Sequence, residues 1–186
     1  MREYYKDPSM GKGSHPKEYG MFKSLCHGSN YLGKPPGLAS KLGLLVTEVE
    51  RIQRWYFGLA PEIVIWQDRV KNDVKYKRTI NNVFGNRFQF FGKIEETTFN
   101  EAIAWIPQST VALLINRAFV QIEDNIPYVD ILLQVHDSLV GQFDTAKTEE
   151  CLAGIRQHSL VSLPYAEPLV IPTGIVTSEK SWGDCG

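Results

Sequence analysis

Leu132–Val140 reads LLQVHDSLV: an apolar run, then His136-Asp137-Ser138, then an apolar pair. A continuous β-prone run, interrupted once by polar residues and then resumed, predicts a buried hairpin whose turn carries chemistry. Asp137 is the residue to explain. A carboxylate at the tip of two buried strands loses hydration, which a metal ion or another cation compensates. The plainer alternative is a solvated turn aspartate that hydrogen-bonds its own backbone.

Upstream, Asn125–Tyr128 reads as a turn and Val129–Val135 as the first strand of the hairpin. Before it, TFNEAIAWIPQSTVALLINRAFVQIE predicts a long helix. Thr98-Phe99-Asn100-Glu101 has the pattern of a capping box at its start, and Pro107 predicts a kink or restart. Beyond Pro107, Val111, Leu114, Ile115, Ala118, Phe119 and Ile122 form an apolar face. Gln108 puts an amide where the helix bends, beside backbone groups the bend sets free. Arg78–Ile94, RTINNVFGNRFQFFGKI, alternates aromatic with basic and amide side chains and predicts a short hairpin or extended loop. Arg87 among Phe84, Phe88 and Phe90 is a mixture that tracks a nucleic-acid strand, and equally one that an aromatic core with charged edges shows.

Nearer the start, Leu38, Leu42, Leu45, Val46, Val49 and Tyr56 keep a helical period through Gly58, a helix of about five turns. A second helix opens at Pro61 and carries Ile63, Trp66, Val70 and Val74. Both stripes are aliphatic and explain themselves as packing. GKPPG, at Gly33–Gly37, marks a break where consecutive prolines end a helix. Ahead of it, Tyr19, Lys23, His27 and Tyr31 recur every four residues and share one face of a helix. Such a polar and aromatic stripe suits a ligand or a solvated face better than a core. Lys23 on it can hold an anionic group, and His27 and Tyr31 can stack on a flat ring. Residues 1–18, with Pro8, Gly11, Gly13 and Pro16, read as an irregular lead-in. Downstream of the hairpin, Asp144 or Thr145 caps a helix with Cys151, Leu152 and Ile155 inward. PLVIPTGIVT then reads as β with a break at Pro172, an edge or bulged strand.

The 186 residues suffice for one domain with a core, or for two small lobes. With 20 Lys+Arg against 21 Asp+Glu there is no overall basic signature, so a nucleic-acid contact has to come from a local patch. Three separated cysteines without a CxxC pair indicate neither a disulfide framework nor a zinc site, and point to a reducing interior. No apolar run approaches 18 residues and the start is polar. The expected location is therefore cytoplasmic, neither secreted nor in a membrane.

Three stretches, in this order, resemble the carboxy-terminal part of a family A DNA polymerase. KSLCHGSNYLG is similar to the family's motif B, with Lys23, Gly28 and Tyr31 in register. FNEAIAWIPQSTVALLIN resembles the later fingers-to-palm helix, where Gln108 matches a glutamine that touches nucleic acid near the primer terminus. QVHDSLV resembles motif C, with His136 and Asp137 in register, and the ending is similar to the last palm strand. The resemblance implies an α+β fold: a helical fingers portion over 19–124, then over 125–186 part of an antiparallel palm sheet whose hairpin carries the catalytic aspartate. It implies two-metal nucleotidyl transfer with Mg²⁺. Asp137 would be a catalytic metal ligand, and Lys23 would contact the incoming nucleotide's phosphates and protonate the leaving pyrophosphate. His27, Gly28 and Tyr31 would line the nucleotide pocket. His136, Gln108 and Arg87 would meet the primer and template.

The chain also departs from the pattern. Tyr19 stands where motif B has arginine, His27 where it has an aromatic ring bearing on sugar discrimination, and Ser138 where motif C has an acid. Motif A, with the second metal-binding aspartate, should precede motif B on an apolar strand, and Asp7 in YYKDPSM has neither the strand nor the spacing. One carboxylate holds two divalent ions poorly, since each needs several oxygens at about 2.0–2.6 Å. The expectation is a split polymerase, viral in style and inactive alone. It would bind DNA primer-template and dNTP beside a partner chain supplying motif A and the thumb, or would self-associate through an uncovered sheet. Two other readings stand beside it. One is a non-catalytic nucleic-acid-binding or scaffold protein derived from such a polymerase; the other, apart from the resemblance, is a metal-dependent hydrolase centred on Asp137.

Overall fold

Helix α1 (Pro16–Asn30) begins inside the stretch read as lead-in. The computed structural model describes residues 13–185, so Asp7 and the rest of 1–12 lie outside the described residues. Pro16 suits a first turn because its fixed φ is helical and no N–H is wasted. α1 buries Phe22, Leu25 and Ser29. Phe22 and Leu25 join Leu38 and Ala39 of α2 (Pro35–Leu42) and Val49 and Ile52 of α3 (Val46–Leu59) in one core, with Trp55 edge-on to Phe22.

The sequence predicted one helix through Leu38–Gly58, and the structure has two. Gly43 takes a left-handed φ of 67° and ends α2, and the Glu48 carboxylate accepts the Leu45 N–H to start α3. A glycine at the left-handed position after a helix is the common stop signal, and here it overrides the hydrophobic period. Pro35 and Pro36 open α2 rather than ending a helix, because the first turn has no use for their missing N–H groups. Helix α4 (Glu62–Asn72) buries Gln67 and Val70, and a π-helical turn, Asp73–Lys77, carries it on to bury Val74.

Strands β1 (Thr79–Asn81) and β2 (Arg87–Gln89) pair as the expected short hairpin. Helix α5 (Glu96–Asn125) then runs 30 residues straight through Pro107, without the predicted restart. The Ser109 and Thr110 hydroxyls both donate to the Ile106 carbonyl beside the proline. The predicted capping box is displaced as well. The helix starts at Glu96, and the Thr98 hydroxyl accepts the Glu95 N–H, the role expected of Glu101. Acidic residues in a first turn favour that earlier start.

The chain forms two compact units, one running to Ile80 with Gln89–Ala104, the other Asn81–Phe88 with Trp105 onward. In the second unit, Leu114 and Ala118 of α5 pack with Val161 and with Leu163 of β5 (Ser162–Leu163). Ile122 packs with Ile126, Val129 and Cys151. Cys151 belongs to α6 (Thr148–His158), which a 3-10 turn capped by Asp144 precedes. β5 pairs with β6 (Leu169–Val170); the rest of the predicted carboxy-terminal strand is irregular from Ile171. By length and composition α5 qualifies to cross a bilayer, although its sequence holds no unbroken apolar run of that length; its buried Leu114, Ala118 and Ile122 are what a core helix also shows.

Strands β3 (Val129–Val135) and β4 (Ser138–Phe143) form the predicted antiparallel hairpin, but it is not buried. Leu132 is 53% exposed and Leu133 51%. The register shifts between Ile131 and Leu133, so a bulge breaks the alternation that would have turned one leucine inward. The sheet has two strands only, which leaves a face uncovered.

Candidate functional site

The predicted residues fall at three places, one in the first unit and two in the second. On α1, Tyr19, Lys23 and His27 are exposed at four-residue spacing, on a different face from Phe22 and Leu25. Tyr31 is the residue that caps the helix, and its ring lies 4.6 Å from that of His27, tilted by 58°. Lys23 pairs with no carboxylate among the described residues, so its ammonium is available to an outside anion.

The end of α1 is built with unusual care. The Gly33 N–H donates to the Gly28 carbonyl at 2.8 Å and the Leu32 N–H to the Ser29 carbonyl at 3.2 Å, a Schellman closure. The left-handed position in that closure usually belongs to glycine, yet Leu32 holds it at φ 62°. A Cβ on Gly33 would sit 2.6 Å from the Gly28 carbonyl oxygen, and one on Gly28 would sit 2.4 Å from a Leu38 methyl. Close packing therefore accounts for both glycines.

Side chains from α3 and α4 hold the same turn. Gln53 Nε2 donates to Ser29 Oγ at 3.0 Å and to the Gly33 carbonyl at 2.9 Å, while Ser29 Oγ donates to the Leu25 carbonyl. Gln67 Nε2, buried, donates to the carbonyls of Ser29 at 3.2 Å and Asn30 at 2.9 Å. The Tyr56 hydroxyl donates to Asn30 Oδ1 at 3.1 Å. The last carbonyls of a helix have no partner within it, and these amides supply one. Sequence reading missed Gln53 and Gln67; the only signal was a glutamine on each of two otherwise apolar stripes.

At the second place, His136 and Asp137 form the two-residue turn closed by the Val135–Ser138 pair. His136 has φ 55° and Asp137 does not share the sign, the pattern of a II′ hairpin turn. Ser138 Oγ donates to the Val135 carbonyl at 2.8 Å, so the serine that replaces the expected acid fastens the turn. The Asp137 carboxylate is exposed, against the expectation of a dehydrated tip, because the strands below it are themselves half-exposed.

Arg87 and Gln108 come to one region of the second unit. Buried Asn82 accepts the N–H groups of Phe84 and Asn86 at its Oδ1, and its Nδ2 donates to Ser109 Oγ at 3.1 Å. That ties the loop before Arg87 to the α5 turn bearing Gln108, and Phe88 packs on Trp105 with ring centres 5.4 Å apart. Both Arg87 and Gln108 are exposed. Among the described residues no three His, Cys, Asp or Glu side chains converge, so the donor set does not itself fit a divalent ion.

A family model described as DNA polymerase family A matches residues 13–183. This chain belongs to DNA polymerase family A. Its family A relatives include the DNA polymerase I of Pseudomonas aeruginosa, 24% identical over 149 residues, 75% of this chain and 16% of that protein. The thermostable DNA polymerase I of Thermus filiformis is 24% identical over 168 residues, 86% of this chain and 20% of that one. The chain therefore spans a fifth or less of these relatives. Its fold is similar to the POL domain of Pol1 from M. smegmatis, solved in complex with DNA primer-template and dNTP, at a TM-score of 0.71 and 21% identity. That likeness covers 77% of this chain and 27% of the other. The family A match takes in both α1 and the β3–β4 turn.

Proposed function

We propose that the chain is the carboxy-terminal part, or a subunit, of a template-directed DNA polymerase, with a fingers-like region over 19–124 and a palm-like region over 125–186. The observation that carries this reading is the family match across 13–183, a span that contains the α1 stripe, the α5 turn and the hairpin tip. On this reading Lys23 Nζ neutralises the triphosphate and gives a proton to the leaving pyrophosphate. His27 and Tyr31 pack on the sugar and base, beside Gly28, and His136, Gln108 and Arg87 contact primer and template. Asp137 is the catalytic carboxylate.

Polymerases of this class use two Mg²⁺ ions, which stabilise the attacking and leaving oxygens. Among the described residues Asp137 is not joined by two further His, Cys, Asp or Glu side chains, so it would be one of several ligands that such ions need. The second carboxylate is assigned to a segment outside residues 13–185, in a longer chain or on a partner that also supplies the thumb. The chain by itself is then inactive. Lys23 and His136 have no such need and can bind anionic ligands unaided.

The test is primer extension with Mg²⁺, using the chain combined with a candidate segment carrying the second carboxylate. Asp137→Ala is expected to lower extension by at least about 100-fold, the upper end of what losing a metal-supporting group does. Equal extension by that variant would overturn the assignment. The lack of converging ligands favours one second reading, a non-catalytic nucleic-acid-binding protein of the same family. It predicts salt-dependent DNA binding that Lys23→Ala and Asp137→Ala leave without any catalytic consequence.

A further inference from the structure

The apolar core that seats α1 reaches its end through Leu38, whose methyls lie against Gly28 and Gly33. Phe22 and Leu25 are held by Leu38, Val49 and Ile52, whereas Asn30 and Tyr31 are half-buried and lie outside that core. Beyond that contact, polar groups of α3 and α4 hold the last turn: four hydrogen bonds from Gln53 and Gln67 and a fifth from Tyr56. Gln67 is 4% exposed, so water cannot readily replace its amide, and a buried amide is tolerated only when it is bonded. Both of its bonds go to the carbonyls of Ser29 and Asn30, the two residues before Tyr31. The turn so held is also strained, with Leu32 in a left-handed conformation that is unfavourable for a residue with a side chain. Strain of this kind persists only where the surroundings over-determine the backbone.

We propose that Gln67 and Gln53 are positioning residues: together they fix the end of α1 so that the Tyr31 ring stays packed at a tilt against His27 and the face bearing Lys23, His27 and Tyr31 is ready to receive a nucleotide. This rests on the nucleotide-binding reading of α1. The two amides act through the backbone and touch no ligand. Removing them lets the last turn relax, which separates the two rings while leaving the Phe22–Leu25 core in place.

The His27 ring resonances report this directly by NMR, since an aromatic neighbour 4.6 Å away shifts them. The full chain would be titrated with dATP and Mg²⁺, comparing wild type with Gln67→Leu, Gln53→Leu and Tyr56→Phe. Val74→Ala serves as a control that thins the same unit's core without removing a bond to the α1 end. Gln67→Leu and Gln53→Leu are expected to move the His27 resonances and to weaken dATP binding about tenfold, the effect of losing one or two hydrogen bonds. Tyr56→Phe should do the same more weakly, and Val74→Ala should lower the melting temperature without moving the resonances. Unchanged His27 resonances in both glutamine variants, or an equal change in Val74→Ala, would overturn the proposal. If Gln67→Leu fails to fold, Gln53→Leu and Tyr56→Phe decide the matter. A wild-type chain whose His27 ignores dATP overturns the nucleotide reading itself; one that responds while both glutamine variants respond equally overturns the positioning role alone.

Discussion

The end of α1 and the tip of the β3–β4 hairpin carry the two halves of the proposed chemistry, and they are built in opposite ways. The α1 end is fastened by two glutamines and a tyrosine from neighbouring helices and rests against a sealed core that includes Leu25, 0% exposed. Among the described residues the hairpin tip is fastened by its own Ser138, above strands that leave Leu132 and Leu133 half-exposed. The difference teaches that the end of α1 is ordered from within the chain, whereas the hairpin tip draws little support from it; on the proposed function, the nucleotide side of the site is pre-organised and the acidic side is completed from outside. A group held by internal hydrogen bonds needs no partner to be in place, whereas an apolar face on a two-stranded sheet is stable only when something covers it.

The sharpest way to break that comparison is to truncate one leucine from each place. Leu25→Ala should destabilise the first unit by about 3 kcal/mol, because it leaves a cavity in a closed core. Leu133→Ala should cost under about 1 kcal/mol, since half of that side chain is already in water. Urea unfolding of both variants checks this, and equal losses would mean that the hairpin is as well packed as α1.

A smaller effect tests strain at the tip. His136 is exposed and left-handed, so His136→Gly should raise stability by about 0.5 kcal/mol, the relief of the backbone penalty less the added freedom of glycine. The same variant should weaken binding to primer-template, measured by fluorescence anisotropy. A gain in stability with no loss of binding would place the tip's function elsewhere.

The smallest effect concerns Cys26, which packs against the α1 core. Burial pushes its thiol up from 9.0 to about 11, because the thiolate loses hydration there. A raised folded pKa means that the unfolded chain releases its proton first. The stabilisation is thus complete below pH 9.0 and fades as pH rises toward 11. Thermal melts from pH 8 to 11 should show this decline in the wild type and not in Cys26→Ala.

Much of the fold was legible residue by residue. The hairpin with its His136-Asp137 turn, the β1–β2 pair, the helix after Pro61 and the helix through Pro107 all follow from period and turn chemistry acting over a few residues. Local rules also misled. The period through Leu38–Gly58 hid the stop at Gly43, and Thr98 caps a start three residues earlier than its motif predicted. Of the candidate site, the positions of Lys23, His27 and Tyr31 on one helix end were visible, as was Asp137 in a turn. The clamp was not, because Gln67 reaches a carbonyl 38 residues away and Gln53 a hydroxyl 24 away, and nothing in the intervening sequence encodes those meetings.

By itself, the amino-acid sequence determined which segments are helix and strand, which face of each is apolar, and which residues stand in turns, since these depend on sterics and hydrogen bonds between near neighbours. Only the tertiary structure decided which apolar faces are covered and which buried amides find partners. Burial is a property of what arrives from elsewhere in the chain. Leu25 and Leu133 look alike in a local window, and one is sealed while the other waits in water.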